Sequence, residues 1–509
     1  MPGGRLKVDR PAAWPWRRAP ALGSARMDAD ELARIAALEM QNHGFRPAFG
    51  DDVRRELERA PSNAGDRHAG VRDLRDRLWF SIDNVDTLDL DQLSWADAQA
   101  DGAVRIAVAV ADVDVQVTSG GAIDGHAAAN TTSVYTAAGV FPMLPPALSN
   151  DLTSLHEGAD RRAVVVEMNV GADGAVAEVE LLLATVRNRA KLDYDSVAAW
   201  LDGHGEAPRP VADNAALADQ LRLHDQAALG LRRWRHRRGA LNIATVQARP
   251  VFVDGELTDL RADRKNRAKD LIADLMIAVN GATARFLAEH GQPSLRRVLQ
   301  QPRRWDRLVA LAAGHGVALP AEPDARALDE FLAARRTAEP GAFEDLSLSV
   351  VKLLGSGAYA AAPADAPPAG HFGLAVNDYA HSTAPNRRFV DLVTQRLVKA
   401  VLAGQAAPYS IDALVAIAQH CTVQEDNAST VERRVLKAAA AYLLQGRIGE
   451  TFDAIVTGAA TKGTFVRIVS PLVEGRVVTG FEGLDVGDAV RVRLRSVDIE
   501  ERFIDFERL

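Results

Sequence analysis

The stretch FSIDNVDTLDLDQL, residues 80–93, sets Asp83, Asp86, Asp89 and Asp91 among the apolar residues Ile82, Val85, Leu88 and Leu90. Four carboxylates this close repel one another, and burying any of them unpaired is costly. A chain that keeps them beside apolar neighbours is expected to recruit a cation. Oxygen-only ligands favour a hard ion, Mg2+ or Mn2+, held through a few carboxylates with positions left for water and substrate phosphate. For the stretch taken alone, a polar loop whose aspartates face water is the plain alternative. An EF-hand is excluded, because neither its loop glycine nor its closing glutamate is present.

A chain of 509 residues predicts two to four domains. Its 47% hydrophobic and 25% charged content is that of an ordinary globular protein. Cys421 is the only cysteine, which excludes disulfides within the chain and cysteine zinc sites and fits a cytoplasmic location. No apolar run reads as a membrane span, and residues 1–27 are expected to form a disordered leader rather than a signal peptide. The net charge of −8 argues against polyanion binding by the whole surface. Basic clusters exist at Arg232, Arg233, Arg235, Arg237 and Arg238 around Trp234, and at Arg261, Arg264, Lys265, Arg267 and Lys269. Such runs are most often solvated helix faces.

Residues 28–65 predict a small helical module. Asp28 caps a first helix with Leu32, Ile35 and Leu38 as its stripe, Gly44 ends it, and a second helix runs from Asp51 to Pro61. A helix-turn-helix and a plain packing element are both open readings. Residues 62–70 read as a linker. Strand signals then dominate to Val186, at 103–117, 163–170 and 176–186. Helical spacing follows at 213–238, 268–289, 303–315, 325–337, 343–359, 388–403 and 410–445, with a loop at 363–370. Strands followed by helices predict an α+β domain with helices against a sheet. From Ile448 to Leu509, short strands between glycine turns predict a five-stranded β-barrel. Phe452 and Phe465 are candidate stacking faces on it for bases, beside Lys462, Arg467, Arg491 and Arg493, although core packing is the commoner role for a phenylalanine.

Several blocks, in order, resemble the ribonuclease II and ribonuclease R family of RNB-domain exoribonucleases over residues 71–445. They are DLRDRLWFSID at 73–83 with the aspartates that follow, TTSVYTAAGVFPMLPPALSNDLTSL at 131–155, and HFGLAVNDYAHSTAPNRRFVDLVTQRL at 371–397. The tail resembles the S-one type of OB-fold RNA-binding domain. The resemblance implies metal-site roles for Asp83, Asp89 and Asp91, with Asp91 closest to catalysis, and a phosphate contact for Arg387 with Arg388 beside it. It also implies RNA contacts at Tyr194, in AKLDYD, and at Glu432, in VERR.

The chain departs from the family pattern at Gln92, where a fourth aspartate is usual, and at Ala273, Ala384 and Asn386. Gln92 still offers an amide oxygen to the metal or its water, without charge, so weaker metal binding is expected. No pair of cold-shock-type barrels precedes residue 71. The expected activity is processive hydrolysis of single-stranded RNA from 3′ to 5′, releasing nucleoside 5′-monophosphates, by a monomer with no membrane partner. The alternatives are an RNA-binding protein that keeps a catalytically impaired RNB core, and a transcription regulator led by the N-terminal helices.

Overall fold

The computed structural model describes residues 29–59, 70–244, 246–299, 301–367, 370–460 and 463–509. The leader, Asp28, Lys462 and most of the 62–70 linker lie outside the described residues.

The central sheet has six strands in the order Arg72–Asp73, Val176–Asp193, Trp79–Asp83, Gln92–Ala98, Val104–Ala111 and Asp160–Val170. Its 18-residue strand Val176–Asp193 pairs antiparallel with Asp160–Val170 along its first part and parallel with Trp79–Asp83 along its last, so the sheet returns on itself. This closure explains why VRIAVAVA at 104–111 is apolar almost throughout rather than alternating: both of its faces are covered. Helix Ala215–His236 packs on strands Gln92–Ala98, Val104–Ala111 and Asp160–Val170, and helix Arg267–Glu289 on the two longest strands. Side chains of Asn214 and Asn266 accept the N–H of Leu217 and Lys269 and so start these two helices.

Six of the seven helical windows match helices within about three residues at each end, for example Ala325–Ala338 and Phe389–Leu402. The 343–359 window needs correction, because the helix stops at Leu354. Gly355, at φ +84°, turns the chain, and Ala358–Ala362 then pairs with Ser294–Val298. A hairpin of strands Val246–Val253 and Glu256–Arg264 had no counterpart in the sequence reading. Asp254 and Gly255 at its tip both have positive φ, which is the Asp-Gly hairpin signal. Helix Arg267–Glu289 also corrects the membrane reading, being long and apolar enough to cross a bilayer by length and composition, yet most of it is buried within the protein.

The N-terminal helices Ala29–Asn42 and Asp51–Arg59 dock on different surfaces. The first buries Leu32, Ile35, Ala36 and Met40 against Val431, Val435 and Ala438 of helix Ile411–Leu444. Leu38 is exposed, because a strict three-residue step drifts off the 3.6-residue face. Glu39 is wholly buried and faces Arg434 at 2.6 Å and Arg502 at 2.8 Å. The second helix sends Val53 into the main core, and Glu56 accepts the N–H of Ala122 at the start of helix Ala122–Asn130.

The C-terminal strands Thr451–Ala460, Gly463–Ile468, Val473–Thr479, Ala489–Asp498 and Phe503–Arg508 form a closed barrel. Phe452 is part of its core, whereas Phe465 faces outward with the Lys437 ammonium 5.4 Å from its ring. Arg467 and Arg493 are tied to Asp345 and Glu507.

Candidate active site

Strand Trp79–Asp83 sets Asp83 beside Asp193, one residue before Tyr194. The loop that follows is pinned. Lys191 Nζ donates to the carbonyls of Val85 at 3.0 Å and Thr87 at 2.7 Å. Ser154 Oγ donates to the Leu88 carbonyl at 2.6 Å and accepts the Leu90 N–H at 3.0 Å. Leu90 enters the core and draws Asp91 inside, so that Asp91 is 3% exposed. Val85, Asp86 and Leu88 face solvent, so only part of the stretch is packed, and Asp86 stands apart with Arg249 3.9 Å away.

Arg387 arrives from the far end of the domain. The turn before helix Phe389–Leu402 is closed by N–H groups of Arg387 and Arg388 on the Ala384 carbonyl. Segment 131–133 stitches to it, with the Ser133 N–H on the Arg387 carbonyl and the Phe389 N–H on the Thr131 carbonyl. Across 295 residues of chain, the Asn386 N–H donates to Asp91 Oδ1 at 3.0 Å. Arg387 Nε donates to Oδ2 at 3.3 Å. The Arg387 side chain is still 42% exposed, and its Nη groups have no hydrogen bond to the protein among the described residues. Asn386 has its own reason to be polar, since its Oδ1 accepts from Thr153 Oγ1 at 2.6 Å in a buried setting.

The electrostatics show convergence on one point. Burial pushes Asp91 up to about 7, opposed by Arg387 and reinforced by Asp89. Burial pushes Asp83 up to about 6, against Lys191 and Arg387, and Asp89 is raised by burial as well. Arg387 acts on all three, yet one guanidinium does not neutralise three carboxylates. Asp83 Oδ2 is buried without a hydrogen-bond partner. Among the described residues, no three His, Cys, Asp or Glu side chains are already arranged as a closed metal cage. An orphaned carboxylate oxygen and three acids held above their ordinary range nevertheless fit a hard cation that keeps water and substrate oxygens in its shell.

Tyr194 opens helix Tyr194–Leu201, with the Asp193 side chain accepting the Ser196 N–H. Its phenol lies in the field of Asp83 and Arg387, and burial raises it. Gln92 also comes to the site, but its amide nitrogen is given to the Thr383 carbonyl. Glu432 accepts the Tyr135 N–H at 3.2 Å. Tyr135 is the residue that sequence reasoning missed. Its hydroxyl reaches Asp89 at 3.4 Å and its side chain is partly open, although its place at the end of the quoted T-S-V-Y block and its aromatic type were visible. Arg388 is directed away from Asp91, onto Asp391 at 2.8 Å and towards Thr383. Phe465 lies on the barrel. Ala384 is buried and Ala273 exposed. Much of the basic clusters is ion-paired, Arg232 and Arg235 with Asp274 and Arg267 with Asp225.

Comparison with known proteins bears on the family and the fold. The family profile described as RNB domain matches residues 71–404, and that of the RNase II-type exonuclease C-terminal S1 domain matches residues 450–509. Ribonuclease R of Escherichia coli (strain K12) is 28% identical over 475 residues, an alignment that takes in 86% of this chain. The chain spans 57% of that relative's length. Exoribonuclease 2 of Salmonella paratyphi B is 31% identical over 401 residues, covering 77% of this chain and 60% of that protein. The solved structure of Mycoplasma genitalium RNase R in complex with ribose methylated single-stranded RNA superposes with a TM-score of 0.83 at 21% identity, over 94% of this chain and 78% of the other. By its sequence blocks, its architecture and the span of the profile match, the chain belongs to the RNB-domain family.

Proposed function

We propose that the protein is a hydrolytic 3′-to-5′ exoribonuclease that degrades single-stranded RNA processively to nucleoside 5′-monophosphates. The observation that carries this reading is the meeting of Asp91 with Arg387, 296 residues away, beside two further under-neutralised acids. Asp83, Asp89 and Asp91 would hold Mg2+ or Mn2+. When bound, divalent ions supply a nucleophilic water and offset charge on the leaving oxygen. Arg387, anchored through Nε only, presents its remaining donors to a phosphoryl oxygen, a role suited to its planar fork. Its grip on buried Asp91 fixes that fork in advance of substrate. Tyr135, steadied through its backbone by Glu432, offers a partly open ring for stacking on a terminal base. Tyr194 closes the other side, next to Asp83. Gln92 would support the metal's water. Outward-facing Phe465 with Lys437 suits a base and its phosphate on the barrel. The lone buried Cys421, its thiol pushed up to about 12 by burial, suits a monomer working in a reducing cytoplasm.

The test is a 5′-labelled oligo(A) incubated with Mg2+, with Mn2+ and with chelator. Metal-dependent shortening from the 3′ end with release of 5′-AMP is expected. RNA binding without product in either metal would overturn the nuclease reading in favour of an impaired RNA-binding core.

A further inference from the structure

A further cavity has a volume of about 670 Å³. It is bounded by the turn at 174–176, the end of helix Ala215–His236, one face of helix Arg267–Glu289 and the segment 370–378. None of Asp83, Asp89, Asp91, Tyr135, Tyr194 or Arg387 lines it. Its size is that of a small-molecule site.

Its charge balance is informative. The two carboxylates in the wall are already matched, Asp274 by Arg232 and Arg235 and Asp378 by Arg296 at 3.1 Å. Two further arginines of the wall, Arg238 and Arg285, have no carboxylate partner among the described residues. Arg238 stacks on the Trp234 ring with its guanidinium carbon 3.5 Å from the centroid, and its Nη1 donates to the Trp234 carbonyl at 3.4 Å, which leaves Nη2 and Nε for a ligand. The wall also carries flat rings. Phe372 stands with its ring in edge contact with Trp305, and His371 carries a buried Nδ1 with no hydrogen-bond partner. Burial lowers His371 to about 4, so at neutral pH the ring is uncharged and offers a neutral flat surface.

We infer that this cavity is a second nucleotide site, taking a phosphate on Arg238 and Arg285 and a base against His371 and Phe372, separate from the site of cleavage. The choice of a nucleotide over another planar anion rests on the nuclease reading. A free mononucleotide and one unit of an RNA strand share this chemistry.

The experiment uses the full chain and 8-azido-adenosine 5′-monophosphate as photoprobe, with adducts mapped to peptides. Labelling of peptides containing Trp234 or His371 is expected, in Asp91→Asn as in the unaltered protein. The pair Arg238→Ala and Arg285→Ala, both at exposed positions, should weaken that labelling by at least about tenfold while 5′-AMP release from oligo(A) is retained. Protection by excess 5′-AMP alone would assign the site to free nucleotide, and protection by oligo(A) alone to the strand; either supports it. Labelling confined to peptides with Tyr135 or Tyr194, or cavity labelling indifferent to the two arginine substitutions, overturns it. Cavity labelling in a preparation that releases no 5′-AMP from RNA would sink the nuclease reading and leave the site standing.

Discussion

Two clusters of three aspartates each meet basic side chains on or beside the same buried helix, Phe389–Leu402, and they behave oppositely. At its N-terminal end, Asp83, Asp89 and Asp91 share one half-open Arg387 and all sit above the ordinary carboxylate range. Further along, Asp112, Asp114 and Asp124 meet Arg396 and Lys399, which contact them at 2.7–2.8 Å while themselves 9% exposed or less. There Asp114 is held below 3.8: burial pushes it up, and Lys399 with Arg396 outweigh that push. The second cluster draws two buried cations from within the fold for its three carboxylates. The first leaves a deficit of positive charge within the fold, and that deficit sets it apart more sharply than the number of acids does.

The largest test of the contrast is Asp91→Asn. Hydrolysis should fall at least about a thousandfold while RNA is still bound. A carboxyl raised to about 7 in the fold is stabilising in its protonated form and loses that contribution as pH rises through 7, so at pH 8 the ionised group costs stability. The metal-free variant should therefore resist urea better than the unaltered protein at pH 8, by on the order of 1–2 kcal/mol. Loss of both activity and stability would make Asp91 structural and erase the contrast.

In the other cluster the same kind of change should do the reverse. Lys399→Met leaves buried acids short of a cation and should cost about 3–5 kcal/mol in urea unfolding. An unchanged midpoint would mean the second cluster is no better neutralised than the first.

Acid sharpens the comparison at smaller amplitude. Because the folded value of Asp114 is depressed, its contribution is complete above 3.8 and is lost as pH falls through the lower folded value. The urea midpoint should drop as pH falls below about 3.8, and that drop should be shallower in Lys399→Met. Equal slopes would remove Asp114 from the account.

The smallest expected effect is at Gln92. Replacement by aspartate adds charge to the deficient cluster and should lower the Mg2+ concentration for half-maximal activity by a few-fold, on the order of three. No shift would mean that the amide's hold on the Thr383 carbonyl matters more than its place near the metal.

Much of this was legible in the residues. Helical periodicity located Ala325–Ala338 and Ile411–Leu444 to within a residue or so, because each has one continuous apolar face. The barrel showed in its glycine-bearing turns, and the site in its aspartates and the PNRR turn. What was hidden depended on partners distant in sequence. Asn386 looked like a defect until Thr153 stood beside it. Tyr135 gains its place from Asp89 and Glu432, neither of which is its neighbour along the chain. The stop at Gly355 depended on a strand partner, Ser294–Val298, that no local pattern announces.

Glu39 has an engineering consequence. Its carboxylate is reached both by Arg434 of helix Ile411–Leu444 and by Arg502 of the barrel. The first helix therefore acts as a keystone and not as a detachable handle. A chimera that swaps another front module in place of residues 29–59 would have to bring its own buried acid to that spot, or leave the two arginines pressing against each other across a domain joint.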